Sequence, residues 1–263
     1  MQIYFRILLA IYLAHLLADF IFQSSQLVEQ KRRGRFSGYL LHGLIHYLAA
    51  ILLVGFFVRA SAVSARTYLV LLALFAIHLL LDAAKIRLTA RGTLHDGAFS
   101  YVSDQFLHLL TIVFAAWLLV PGLAFAQLFA FAGLVRTAQT KWLAVPIVYI
   151  GVIFGGGYLI RDLTRTLAEG VGTQSTPETG EHLQNAGLYI GWLERFLVVT
   201  ALLLQSPATV GLILTAKSIA RYPEFKSKRF AEYFLIGTLL SISIAILGGA
   251  LLAKVLFGAV RFP

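Results

Sequence analysis

Cysteine is absent from the 263-residue chain, which excludes disulfides and thiolate ligands and leaves only nitrogen and oxygen donors for any metal. Charge is scarce: 13% of residues are Asp, Glu, Lys or Arg, against about 25% in soluble domains. With 59% hydrophobic residues and runs near the roughly 20 residues that cross a bilayer, that scarcity excludes a water-soluble helical core. The first apolar stretch, Met1 to Phe22, lacks both a basic start and a small-residue cleavage site. It reads as a retained span and not as a secretory signal. Acidic residues are outnumbered, giving a net charge of +10. The positive charges are scattered over short loops, which argues against a nucleic-acid partner and for contact with anionic membrane lipid.

What the chain does have is a repeated His/Asp pattern. His15-Leu-Leu-Ala-Asp19 parallels His78-Leu-Leu-Leu-Asp82, and His42-x-x-x-His46 parallels Asp104-x-x-x-His108. Four residues are about 400° of helix rotation, so each pair occupies one face, one turn apart. From His15 to His46 is 31 positions and from His78 to His108 is 30. The amino-terminal half therefore reads as two helical-hairpin repeats of the same polarity.

The fold expected is all-α: a polytopic membrane bundle of about eight transmembrane helices, near 3–22, 39–58, 67–86, 102–120, 142–160, 188–204, 207–220 and 231–257. The division expected is a His/Asp-rich module over 1–120, then 121–168 with a re-entrant or interfacial helix and a connecting span. A polar loop follows over 169–187 and a three-helix module over 188–263. Lys31, Arg32, Arg33 and Arg35 follow the first span, and Lys85, Arg87 and Arg91 the third; both groups read as cytoplasmic by the positive-inside bias. Segment 121–135, about fifteen residues after a Pro-Gly turn, is short for a crossing. It is expected to stay on the outer side.

In that topology His15, Asp19, His42, His46, His78, Asp82, Asp104 and His108 share one layer, roughly 4 to 12 Å below the cytoplasmic boundary at 1.5 Å per residue. An Asp in a membrane helix costs up to about 2.5–3.5 kcal/mol on insertion scales. Three with five histidines therefore call for a compensating partner. A divalent metal suits the donors: zinc first, with manganese or iron compatible. The alternatives are a hydrogen-bonded structural bundle and a proton or ion pathway, although no polar path continues toward the outer half.

A metal with an open position would make hydrolysis available. Lys85 is a candidate anchor for an anion or a lysine snorkelling to the interface, and Gln23 and Gln105 are candidates to orient ligands. His95 and Asp96 fall in a loop that could close over the site. Further on, Gly187-x-x-x-Gly191 and Gly151, Gly155, Gly156 and Gly157 read as close-approach positions. Glu194, Arg195, Lys217, Arg221 and Glu232 read as an ion-pair cluster locking three helices, or as a head-group site.

At these residues the chain resembles the bacterial membrane family called domain of unknown function 3307. The resemblance rests on His15-Leu-Leu-Ala-Asp19-Phe with Gln23, Leu41-His42 through His46, His78-x-x-x-Asp82-x-x-Lys85 and Asp104-Gln105-x-x-His108. Gly191-Trp-Leu-Glu194-Arg195 and Lys217-Ser-Ile-Ala-Arg221 look like its longer members. It implies a bacterial inner-membrane protein and carries no activity. A fainter likeness, in residue types and depth, is to membrane-bound metal-dependent hydrolases. The function expected is metal-dependent hydrolysis of a membrane-associated substrate such as a lipid-linked phosphoester. Metal-ion or proton transport and a purely structural role are the alternatives.

Overall fold

In the computed structural model, residues 2–58, 63–124, 137–171 and 186–258 are described, and they are helical apart from caps and turns. They form two compact units, residues 1–147 and 148–263. Among the described residues, six helical stretches are long and apolar enough to cross a membrane: Gln2–Phe20, Phe36–Val58, Ala65–Ala90, Ala98–Leu118, Ala138–Arg165 and Lys228–Phe257. Ala208–Ala220 is a shorter apolar helix.

The first unit is built on α1 (Gln2–Phe20), α2 (Ser25–Arg32), α3 (Phe36–Val58), α4 (Ala65–Ala90) and α5 (Ala98–Leu118). Four of them close a ring in which α1 packs on α3 and α5, α3 on α4, and α4 on α5. Helix α1 is the most enclosed, with Tyr4, Phe5, Ala10, Ile11, Ala14 and Ala18 all nearly inaccessible. The outward faces are the reverse of a soluble bundle: Leu52, Phe56, Leu69, Leu80 and Phe99 are exposed while five histidines are buried. That arrangement suits a hydrocarbon solvent, where apolar surface costs nothing and polar groups must be satisfied inside. Gly43 lets α4 approach α3 closely, since a Cβ there would stand 2.8 Å from Leu79 Cδ1.

Two local features depart from the span boundaries read from sequence. The loop expected to carry Lys31 to Arg33 contains a helix, α2, started by Ser24, whose Oγ accepts from the Leu27 amide at 3.3 Å. Helix α4 runs on to Ala90, because Ala83, Ala84, Lys85, Arg87 and Leu88 are good helix formers and no Gly or Pro intervenes before Gly92. Lys85 and Arg87 are thus helical. His95 and Asp96 are exposed and stand apart from the buried cluster. Of segment 121–135, residues 121–124 form a turn with Gly122 at φ +82°; 125–135 lie outside the described residues. So does most of the expected polar loop, 172–185, while the helix ending at Val171 covers its start.

Helix α6 (Ala138–Ile150) carries the chain from the first unit into the second. There a π-helical turn, Gly151–Gly155, leads into α7 (Gly156–Val171), followed by α8 (Ala186–Leu203), α9 (Ala208–Ala220), a 3-10 turn and α10 (Lys228–Phe257). Helix α10 packs on α7, α8 and the π turn, and α8 on α9. The fifth span, read as a connector, thereby contributes its second half to the carboxy-terminal unit.

Candidate metal centre

Each helix of the ring delivers one pair, and the i, i+4 spacing turns both members inward. His15 and Asp19 come from α1, His42 and His46 from α3, His78 and Asp82 from α4, and Asp104 and His108 from α5. The eight side chains meet, and the five imidazoles are all at least 97% buried. Among the described residues, three sets of potential ligand atoms lie mutually within 4.8 Å: His15, Asp19, His46 and His78; His42, His78 and Asp82; and Asp82, Asp104 and His108.

The tightest geometry is around Asp19. Its Oδ1 is 3.0 Å from His46 Nε2 and 3.3 Å from His42 Nε2, and those two nitrogens are 3.2 Å apart. His78 Nε2 stands 3.2 Å from His42 Nε2 and 3.9 Å from Asp19 Oδ1. Four ligands around zinc at about 2.0 Å form a tetrahedron with edges of about 3.3 Å. The Asp19, His42 and His46 atoms form such a face, and His78 sits loosely at the fourth corner. His15 Nε2 is 3.6 Å from the other carboxylate oxygen, Oδ2.

Charge separates the three carboxylates. Lys31 Nζ is 2.7 Å from Asp82 Oδ2 and Lys85 Nζ is 3.1 Å from Asp104 Oδ2. Among the described residues, Asp19 has only imidazole partners. The charge left to be met by a cation is therefore concentrated on Asp19. Lys31, read from the sequence as part of a basic loop at the entrance to the site, is 94% buried in the site itself. Its signal was present, since Leu27 and Lys31 are four apart behind the Ser24 cap and share the buried face of α2. Lys85, read as a candidate anion anchor, spends its charge on Asp104.

The ring orientations can be read from their outer hydrogen bonds. His108 Nδ1 donates to the Asp104 carbonyl at 2.9 Å. Its Nε2 therefore carries the lone pair, and this atom is buried without a hydrogen-bond partner. The Gln23 amide is 3.5 Å from His42 Nδ1. Turned so that its Oε1 accepts from Nδ1–H, it leaves the His42 Nε2 lone pair free, the usual arrangement around ligating histidines. Gln105 touches Asp104 Oδ2 at 3.5 Å. Beside the cluster a cavity of about 10 Å³ is lined by His15, His78 and His108 together with Ile11, Leu74, Phe75, Thr111 and Ile112.

The second unit holds the other predicted group, divided in two. Glu194 and Lys217 form an ion pair at 2.5 Å between α8 and α9. Arg195 turns to the π turn: Nε and Nη2 donate to the Ile153 carbonyl at 3.1 and 2.7 Å, and Nη1 to Ser241 Oγ at 3.3 Å. That carbonyl belongs to the π turn, which begins five residues past Pro146. Gly191 and Gly157 make room for that guanidinium, whose nitrogens would stand 3.2 and 2.7 Å from a Cβ there. A Cβ on Gly187 or Gly151 would meet nothing within 4 Å. Glu232 is exposed, and Arg221 caps α9.

Fold and site together define a membrane-helix-rich bundle with a buried His/Asp centre. Residues 7–135 match the model of a family described as Protein of unknown function (DUF3307). The matched segment contains all eight clustered residues. No curated protein and no solved structure shows significant similarity to the chain.

Proposed function

We propose that the cluster binds one divalent ion, zinc by the character of its donors, through Asp19, His42, His46 and His78. We further propose that the chain hydrolyses a membrane-associated phosphoester from the cytoplasmic face of the bacterial inner membrane. The observation that carries the reading is the Asp19–His42–His46 triangle, with edges of 3.0 to 3.3 Å, around the one carboxylate without a lysine. His78 at the loose corner leaves room for zinc to expand its shell and take a water. A metal in such a setting lowers the pKa of bound water to near 7. His108, with Nδ1 fixed on a carbonyl and Nε2 facing inward, is placed to take the proton that water gives up. His15 flanks Asp19 on its other oxygen. The apolar side chains of Ile11, Leu74 and Ile112 beside the cluster favour hydrolysis over transport, which needs a polar route onward.

The test is release of phosphate or alcohol from phosphomonoester and phosphodiester lipids in mixed micelles. Zinc- or manganese-loaded protein is compared with Asp19→Ala and His108→Gln. Turnover in the wild type that both substitutions abolish supports the reading. Metal-loaded protein that is inert to the whole panel, but moves the ion into sealed proteoliposomes, establishes transport instead.

A further inference from the structure

Asp82, Asp104 and His108 form a second ligand set beside the Asp19 tetrad, and the two sets are joined through Asp82, which also lies 3.5 Å from His42 Nε2. Within it His108 Nε2 and Asp82 Oδ1 face each other 3.7 Å apart. Both are acceptors, because the His108 proton is held on Nδ1 by the Asp104 carbonyl. The nitrogen is buried and unpartnered. Two acceptors at that distance call for a cation or a water between them. The set has the residue types, burial and orientation of a second metal position.

What distinguishes it from the first set is a lysine. Lys31 places its ammonium 2.7 Å from Asp82 Oδ2, and α2 is shaped to deliver it. A Cβ on Gly38 of α3 would stand 2.7 Å from Gln30 Cβ and 3.2 Å from the Lys31 amide nitrogen, so α2 lies directly on the α3 backbone. The Tyr39 hydroxyl donates to the Lys31 carbonyl at 3.2 Å. With Lys85 on Asp104, the two ammonium groups and one divalent ion already exceed the three carboxylates by one positive charge. A second divalent ion would raise that excess to three in a buried site, where like charges repel strongly.

We infer that Lys31 sets the nuclearity of the centre: its tethered ammonium stands in for a second divalent ion at Asp82, Asp104 and His108. The inference rests on the metal reading proposed above. With Lys31 docked, the gap between His108 and Asp82 takes a neutral water. With the ammonium removed, the same donors take a metal. The centre then works with one exchangeable ion and one fixed cation, and α2 is the element that holds the second charge in place.

The experiment is zinc titration of detergent-purified, metal-stripped full-length protein, with bound ion counted by elemental mass spectrometry after desalting. Wild type, Lys31→Met, Lys31→Arg and Lys31→Met/Asp82→Asn are compared, each checked for a monodisperse elution profile. One ion per chain is expected in the wild type and Lys31→Arg, two in Lys31→Met, and one again in the double variant. Two ions in the wild type, or one in a folded Lys31→Met, overturns the inference while leaving the first metal position standing. No ion in the folded wild type overturns the metal reading itself and the inference with it. Lys31→Arg keeps the test decisive if Lys31→Met does not fold: a retained single ion supports the stand-in role, and a second ion contradicts it.

Discussion

Asp19 Oδ1 and His46 Nε2 lie 3.0 Å apart across the α1–α3 contact, and no described lysine or arginine pairs with the carboxylate, whereas Asp82 and Asp104 each have one. The three carboxylates are therefore unequal in what they demand of a cation. Asp19→Asn should weaken zinc binding at least 100-fold, and Asp82→Asn about tenfold or less. Competition against a chromophoric chelator measures both. Equal losses would mean that the lysine pairs do not separate the two positions.

Gln23 and Gln105 look alike in sequence and differ in what they touch. Gln23 reaches the ring of His42, a tetrad member, and Gln105 reaches only the lysine-paired Asp104. Gln23→Leu should lower zinc affinity by about 10- to 100-fold, as loss of such an orienting group does. Gln105→Leu should leave it within about threefold by the same measure.

Gly38 is the point where α2 meets α3 backbone to backbone. Gly38→Ala cannot be absorbed by a side-chain end, because the nearest atoms are Gln30 Cβ and Lys31 N. The substitution should lift α2, and hydrogen exchange of amides 25–32 should lose protection relative to α3. Unchanged protection would mean that α2 is held by Leu27 and the Lys31–Asp82 pair alone.

Arg195 is nearly inaccessible and its donors end on Ile153 O and Ser241. Arg195→Leu removes the three hydrogen bonds to Ile153 O and Ser241 Oγ, while Glu194 keeps its ion pair with Lys217. Loss of a hydrogen bond made by a charged group costs about 1.5 to 3 kcal/mol. Thermal unfolding in detergent should show it as a clear fall in midpoint. Zinc affinity should be unaltered, since all ligands belong to the other unit.

The repeated i, i+4 words and their common depth were enough to place eight side chains in one cluster, because helical periodicity and membrane depth are both linear in sequence. The same pattern could not rank them. Which carboxylate lacks a lysine depends on where α2 lies, and that is decided by Gly38 and the Leu27–Lys31 face, which hydropathy reads as a basic loop. Likewise Glu194 and Arg195 are adjacent in sequence but a residue apart on a helix is a turn of about 100°. One faces α9 and the other the π turn, so a single charged cluster became two. The π turn itself had only its glycines as a signal.

X-ray absorption at the zinc edge of protein purified without chelator and loaded with one equivalent of zinc tests the central claim most directly. The account predicts a shell at about 2.0 Å with three imidazole nitrogens and one carboxylate oxygen, lost in His46→Ala. Folded wild-type protein that retains no zinc, or holds it in an oxygen-only shell indifferent to His46, would contradict it.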